Sequence, residues 1–281
     1  MLRIAPQHEG LDKTEPMRDD FSSDFFVSNA DRDPLRTVQK DMKRALPKRF
    51  YKEAGVAPRD GGWAVLLDGR SVRTPAGGHL SLPTEAAARL VAAEWAAQGE
   101  EIDPATMPVT RLVNSALDGV ARDLSGVAAD IVKYAGSDLV CYRAGEPEGL
   151  VAAQAEAWDP VLAFAREQLG ARFILAEGVM FAAQPDHAIS AFAKAVDAFA
   201  QAPDAALKIA TLHSMTTLTG SALIAMMVAR GALTPEAAWT AAHVDEDWQM
   251  KLWGEDEEAR AKRALRFIDM NASTDLWAAL A

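Results

Sequence analysis

From Pro83 onward the chain reads almost wholly as helix, and this constrains the fold more than any other feature. Ala87, Val91 and Trp95 recur every four residues and make one apolar stripe, while Glu85 and Arg89 pair four apart on the outside. Gly99 ends that helix. The spacing predicts further helices over 108–120, 122–135, 148–169, 185–201, 204–230, 234–253 and 255–269, and the abundant alanine favours them. Segments 139–143 and 172–181 read as strand or irregular chain.

Before Pro83 the pattern changes. Arg49-Phe50-Tyr51 reads as a short strand. Gly61-Gly62 is a turn signal, and Trp63, Val65 and Leu67 then alternate along a second strand. Asp68-Gly69 is the favoured pair for a two-residue hairpin turn, because both residues tolerate positive φ. Ser71–Thr74 reads as the returning strand, and Leu80 and Leu82 as a third. Residues 1–47 are polar and mixed in charge, with Pro6, Pro16 and Pro34, and read as a mobile N-terminal arm holding a short helix near Arg36–Ala45. The predicted class is therefore α+β with two domains: a small β-rich domain at 48–83, then a helical domain at 84–281.

The 281 residues are 49% hydrophobic, enough for a large core, and the net charge is −11. That sign disfavours nucleic acid and anionic lipid as partners. No apolar run approaches the roughly 18 residues of a membrane span, so no membrane insertion is expected. Acids at Glu9, Asp12, Glu15, Asp19, Asp20 and Asp24 are foreign to an organellar transit peptide, and no secretory signal is read. The single cysteine, Cys141, allows no internal disulfide and reads as a buried, inert thiol.

There is no phosphate loop, no Gly-x-Gly-x-x-Gly turn and no Gly-x-Ser-x-Gly elbow. The histidines His8, His79, His187, His213 and His243 are scattered, and none has the Glu-x-x-His spacing of a helical di-metal site. His213 and Ser214 are adjacent on a helix and point about 100° apart, poor geometry for a nucleophile and its base. No catalytic residue, cofactor or metal is expected.

The most informative stretch is 235–253. On one continuous helix, Ala237, Ala241, Val244, Trp248 and Leu252 form a core stripe. The opposite side carries Trp239, His243, Glu246, Met250 and Trp253. Two explanations fit. The helix is buried on both sides with Glu246 at an edge or salt-bridged, or the second side is a docking surface, since Trp and Met suit protein interfaces. Acids crowd the region at Asp245, Glu246, Asp247, Glu255, Asp256, Glu257 and Glu258, without the alternation of a calcium loop.

Ordered short stretches carry a resemblance. They are Arg49-Phe50-Tyr51-Lys52, Leu67–Pro75, Leu82–Ala86, Ala93-Glu94-Trp95, Met107–Thr110, Asn114–Asp118, Asp138–Arg143, Glu156–Pro160 and Gln249–Gly254. Together they resemble the mitochondrial and alpha-proteobacterial assembly chaperones of the F-type ATP synthase that bind its alpha subunit. The resemblance implies a chaperone, not an enzyme. It implies that the protein binds the free alpha subunit and shields its beta-facing surface until the hexamer assembles. It implies a cytoplasmic protein of a bacterium, mitochondrial in eukaryotic relatives. It favours Glu246 as the functional carboxylate, with Asp245 as the alternative, and Trp239, His243, Met250 and Trp253 around it. Trp95 and Trp63 are read as structural, with Trp95 in the core. The competing classes are a helical binding module for another partner and a helical enzyme with an unfamiliar site.

Overall fold

A computed structural model describes residues 46–281 apart from positions 60, 179 and 180. The predicted arm up to residue 45, with its short helix, lies outside the described residues. The last arm positions are seated: the Ile102 amide donates to the Pro47 carbonyl at 2.8 Å.

The small sheet centres on β2 (Gly62–Leu67), which pairs antiparallel with β1 (Ala54–Arg59) over six residues, from Ala54 opposite Leu67 to Arg59 opposite Gly62. Its other edge takes β3 (Arg70–Ser71) and β4 (Ser81–Leu82). The expected hairpin turn is present, with Asp68 at φ 47° and Gly69 at φ 79°. The returning strand is shorter than expected, because after Ser71 the chain only bridges Arg73 to His79. The first strand is also later than Arg49–Tyr51. There the Arg49 side chain instead ties down the loop, donating to the Tyr51 and Lys52 carbonyls.

Helix α1 (Glu85–Ala96) starts at Thr84, whose hydroxyl accepts from the Ala87 amide at 3.1 Å, and packs across the sheet through Ala87, Ala88 and Val91. A largely helical body follows. It comprises α2 (Pro108–Asp118), α3 (Leu124–Ala135), α4 (Glu148–Gln168), α5 (Asp186–Ala200), α6 (Ala205–Thr219), α7 (Ala222–Ala229), α8 (Pro235–Ala242), α9 (Val244–Trp253) and α10 (Glu257–Ala279). Two-residue strands β5 (Tyr142–Arg143) and β6 (Ala176–Glu177) pair in parallel between them. Cys141 sits in a one-turn 3-10 segment just before β5, not in a strand. It is fully buried, and burial pushes its thiol up to about 12.

Two predicted helices are each broken in two. The 204–230 stretch turns at Gly220, which adopts φ 68°, and restarts with Ser221 capping the Ile224 amide. The apolar run Ala222–Val228 is buried on every side, as a helix without a polar face must be. The 234–253 stretch breaks at His243, where φ is −119° and ψ 22°. The last helix runs ten residues beyond its predicted end, to Ala279.

Carboxylates, two partly buried and one fully buried, staple these pieces together. Glu94 on α1 accepts from the amides of Val109 and Thr110, both at 2.7 Å, and from the Thr110 hydroxyl at 2.6 Å. It thus caps α2, whose own N-cap residue Met107 supplies no side-chain bond. At the other end of α2, Asp118 accepts from the Thr74 hydroxyl (2.6 Å) and the Ala76 amide (2.9 Å) of the β region. Asp138, fully buried, accepts from the Leu223 amide at 3.0 Å at the start of α7.

Candidate protein-docking site

The break at His243 changes the face analysis of 235–253. On a continuous helix Ala237 and Leu252 belong to a core stripe; in the structure both are exposed, while Ala241 and Val244 of that stripe are buried and Ala238 and Trp239 join them. His243, with 4% exposure, is also buried. Its Nδ1 lies 2.7 Å from the Trp239 carbonyl and its ring stacks at 4.1 Å on the Trp239 indole. Burial lowers its pKa, so the neutral ring is favoured. Of the five residues assigned to the second face, the structure therefore sets Trp239 and His243 inward. Glu246, Met250 and Trp253 remain accessible on α9.

The three-acid run separates cleanly. Asp245 accepts from the Gln154 side chain at 2.7 Å, and buried Gln154 in turn accepts from the Ala144 amide at 2.8 Å. Asp247 is paired with Arg263 of α10. Among the described residues, Glu246 has the buried His243 Nε2 at 3.8 Å as its charged-group neighbour, and its side chain is 61% exposed. The two neighbours thus fasten α9 to α4 and α10, while Glu246 faces outward. A further fastening was invisible in the sequence: the tip of Trp248 lies against Gly149 of α4, 2.3 Å from where a Cβ would stand.

Gly254, at φ 89°, ends α9, and the chain turns into α10 to form a helical hairpin. Between the two arms lies an open groove of about 530 Å³. Glu246, Met250 and Trp253 line it from α9, Arg260, Arg263, Ala264 and Phe267 from α10, and Trp239 closes its inner end. Trp253 is 85% exposed, extreme for so large an apolar side chain. Next to the groove, α10 carries Ala261, Leu265, Ile268, Ala272 and Leu276 on one stripe. The stripe is core at Ala272 and Leu276 and runs out into solvent at Ile268 and Leu265, which is 65% exposed. Exposed apolar surface continuous with a core marks an interaction site.

The residues singled out for other chemistry lie elsewhere. His213 Nε2 is 2.9 Å from Asp130, while Ser214 bonds Ser273 at 2.9 Å, so the pair does not act on one atom. No cluster of His, Cys, Asp or Glu suited to a metal occurs among the described residues, and no helix among them is long and apolar enough to cross a membrane. Trp95 is only partly buried, less than the core position expected of it. Its ring meets Tyr51 edge-on at 5.6 Å, and its carbonyl accepts from the Tyr51 hydroxyl at 2.7 Å. Trp63, on β2 opposite Pro58, is likewise partly buried against the core.

A family described as the ATP12 chaperone protein matches residues 48–166. The mitochondrial Atp12 protein of Schizosaccharomyces pombe is 22% identical, covering 75% of each chain. The crystal structure of Atp12 from Paracoccus denitrificans superposes with a TM-score of 0.77 at 39% identity, covering 84% of this chain and 99% of that one. A protein of Agrobacterium tumefaciens, described as a candidate chaperone, superposes with a TM-score of 0.81 at 50% identity over 90% of this chain and 93% of that one. With α1, the β region and the helical body all spanned at this level of identity, the chain belongs to the ATP12 chaperone family.

Proposed function

We propose that the protein is a chaperone for assembly of the F-type ATP synthase catalytic head. It binds the free alpha subunit, covers its beta-facing surface and gives way when the beta subunit arrives. It works in the bacterial cytoplasm, as its relatives do in mitochondria, without a catalytic step or cofactor. The observation that carries the reading is the α9–α10 hairpin. An exposed tryptophan and an outward-facing carboxylate stand there on a framework fixed by Gln154, Arg263 and Gly149. Large aromatic anchors ringed by polar groups are the usual energetic centres of protein interfaces.

The test is co-purification from native extract with and without the Trp253→Ala change. The expected result is capture of the alpha subunit by the parent protein and loss of most of that capture in the variant. Capture of other proteins in place of the alpha subunit would reject the reading.

A further inference from the structure

The charges around the groove do not balance, and the imbalance limits what can sit there. Each groove arginine already has a carboxylate: Arg263 has Asp247, and Arg260 has Glu255 at 3.6 Å. On the acidic side, among the described residues, Glu246 faces a buried histidine, and Asp256 accepts from the Glu258 amide at 2.9 Å and shares the field of Lys262, which Glu258 already pairs at 2.7 Å. The rim therefore keeps surplus negative charge, while Met250, Trp253, Ala264 and Phe267 give the walls an apolar character.

An acidic occupant would be repelled by this rim. A purely apolar one would cover Glu246 without a partner, and a carboxylate removed from water unpaired is costly. An occupant with a cation beside its apolar anchor satisfies both demands. Arginine does so best, since its planar fork can engage a carboxylate through two hydrogen bonds and lie against an aromatic face.

We propose that the α9–α10 groove seats a segment of the alpha subunit in which a large apolar side chain is flanked by arginine or lysine, the apolar group lying between Trp253 and Phe267 and the cation on Glu246. This rests on the alpha-subunit reading above and adds to it the chemistry of the contact. Steering by the surplus charge also makes association faster at low salt.

Two short synthetic peptides of identical apolar sequence, one flanked by arginine and one by glutamate, test it on the full chain. Binding is read by anisotropy of a label on each peptide. The arginine peptide is expected to bind at least about tenfold more tightly, a difference of about 1.4 kcal/mol. It should displace the alpha subunit, and Glu246→Gln should remove the preference while leaving the thermal melt unchanged. Equal binding of the two peptides, or a preference that survives Glu246→Gln, overturns the proposal. So does carbodiimide cross-linking that joins Glu246 to a lysine of the chain's own residues 1–45 or of a second copy. Capture of the alpha subunit without peptide selectivity retains the chaperone reading and rejects this one. Selectivity for the arginine peptide without capture of the alpha subunit rejects the alpha-subunit reading and this assignment of the occupant with it.

Discussion

At the scale of the residue, position 246 is where the fold and the proposed function can be tested apart, because the Glu246 side chain is 61% exposed with His243 Nε2 at 3.8 Å. Glu246→Lys is expected to shift stability by no more than about 0.5 kcal/mol, as exposed substitutions do. It should nonetheless weaken capture of the alpha subunit more than about a hundredfold, since a like charge then meets the proposed cation of the occupant. A melt beside a pull-down checks both halves. Asp138 behaves in the opposite way, with consequences for the fold alone. Burial pushes its carboxyl up to about 6, above the ordinary value of 3.8, even though it accepts amide hydrogen bonds. Between about pH 4 and 6 the native chain therefore holds a proton there that the unfolded chain releases. The stability this contributes is fully present below about pH 4 and is lost as pH rises through about 6, at no more than about 1.4 kcal/mol per pH unit. Asp138→Asn should flatten that slope in urea melts and lower stability throughout by about 1–3 kcal/mol, because an amide nitrogen cannot accept from the Leu223 N–H. Trp95 is intermediate in kind. Its partial burial and its contact with Tyr51 set the cost of Trp95→Arg at roughly 2–3 kcal/mol, below the 3–5 kcal/mol of a fully buried tryptophan. In a chain of this size that is a melting-temperature loss of about 5–10 °C, readable by calorimetry.

At the scale of the element, the α9–α10 hairpin depends on how α9 is held. Gly149→Ala should force the Trp248 ring off α4 and tilt α9. The expected outcome is a drop in alpha-subunit capture out of proportion to any change in melting temperature, checked by the same paired measurements. Helices with strong periodicity were legible in the sequence, and so was the Asp68-Gly69 turn, since each is fixed by neighbours along the chain. The breaks at Gly220 and His243 were not. Both lie inside apolar runs whose pattern continues through the break, and each is held by distant groups: Asp138 capping α7, and Gln154 and Trp158 holding the α8–α9 junction, where Trp158 Nε1 donates to the Ala241 carbonyl at 2.7 Å. Placing 235–253 on one wheel therefore put Trp239 and His243 beside Glu246 on an outer face, when the break rotates them into the core. The separate fates of Asp245, Glu246 and Asp247 were equally hidden, because Gln154 lies 91 residues from Asp245 and Arg263 lies 16 from Asp247 in sequence.

At the scale of the whole molecule, the short stretches that carry the resemblance turn out to be ties between elements more than surfaces. Glu94 caps α2, Asp118 holds the β region, Asp138 caps α7, and Trp158 reaches the end of α8. The sequence could name the family through these residues because a fold of many short helices needs such ties at fixed places. It could not show the groove, since that surface exists only once α10 folds back along α9. Among the described residues, apolar side chains and surplus negative charge coincide at the α9–α10 hairpin. In the proposed function this hairpin passively shields a free alpha subunit. Aggregation of isolated alpha subunit, followed by light scattering with the chaperone added at equal concentration and no nucleotide, tests it most directly. Suppression is expected from the parent protein and from Trp95→Arg below its melting temperature, with none from Glu246→Lys. Full suppression by Glu246→Lys, or suppression by the parent protein only when ATP is supplied and consumed, would contradict it.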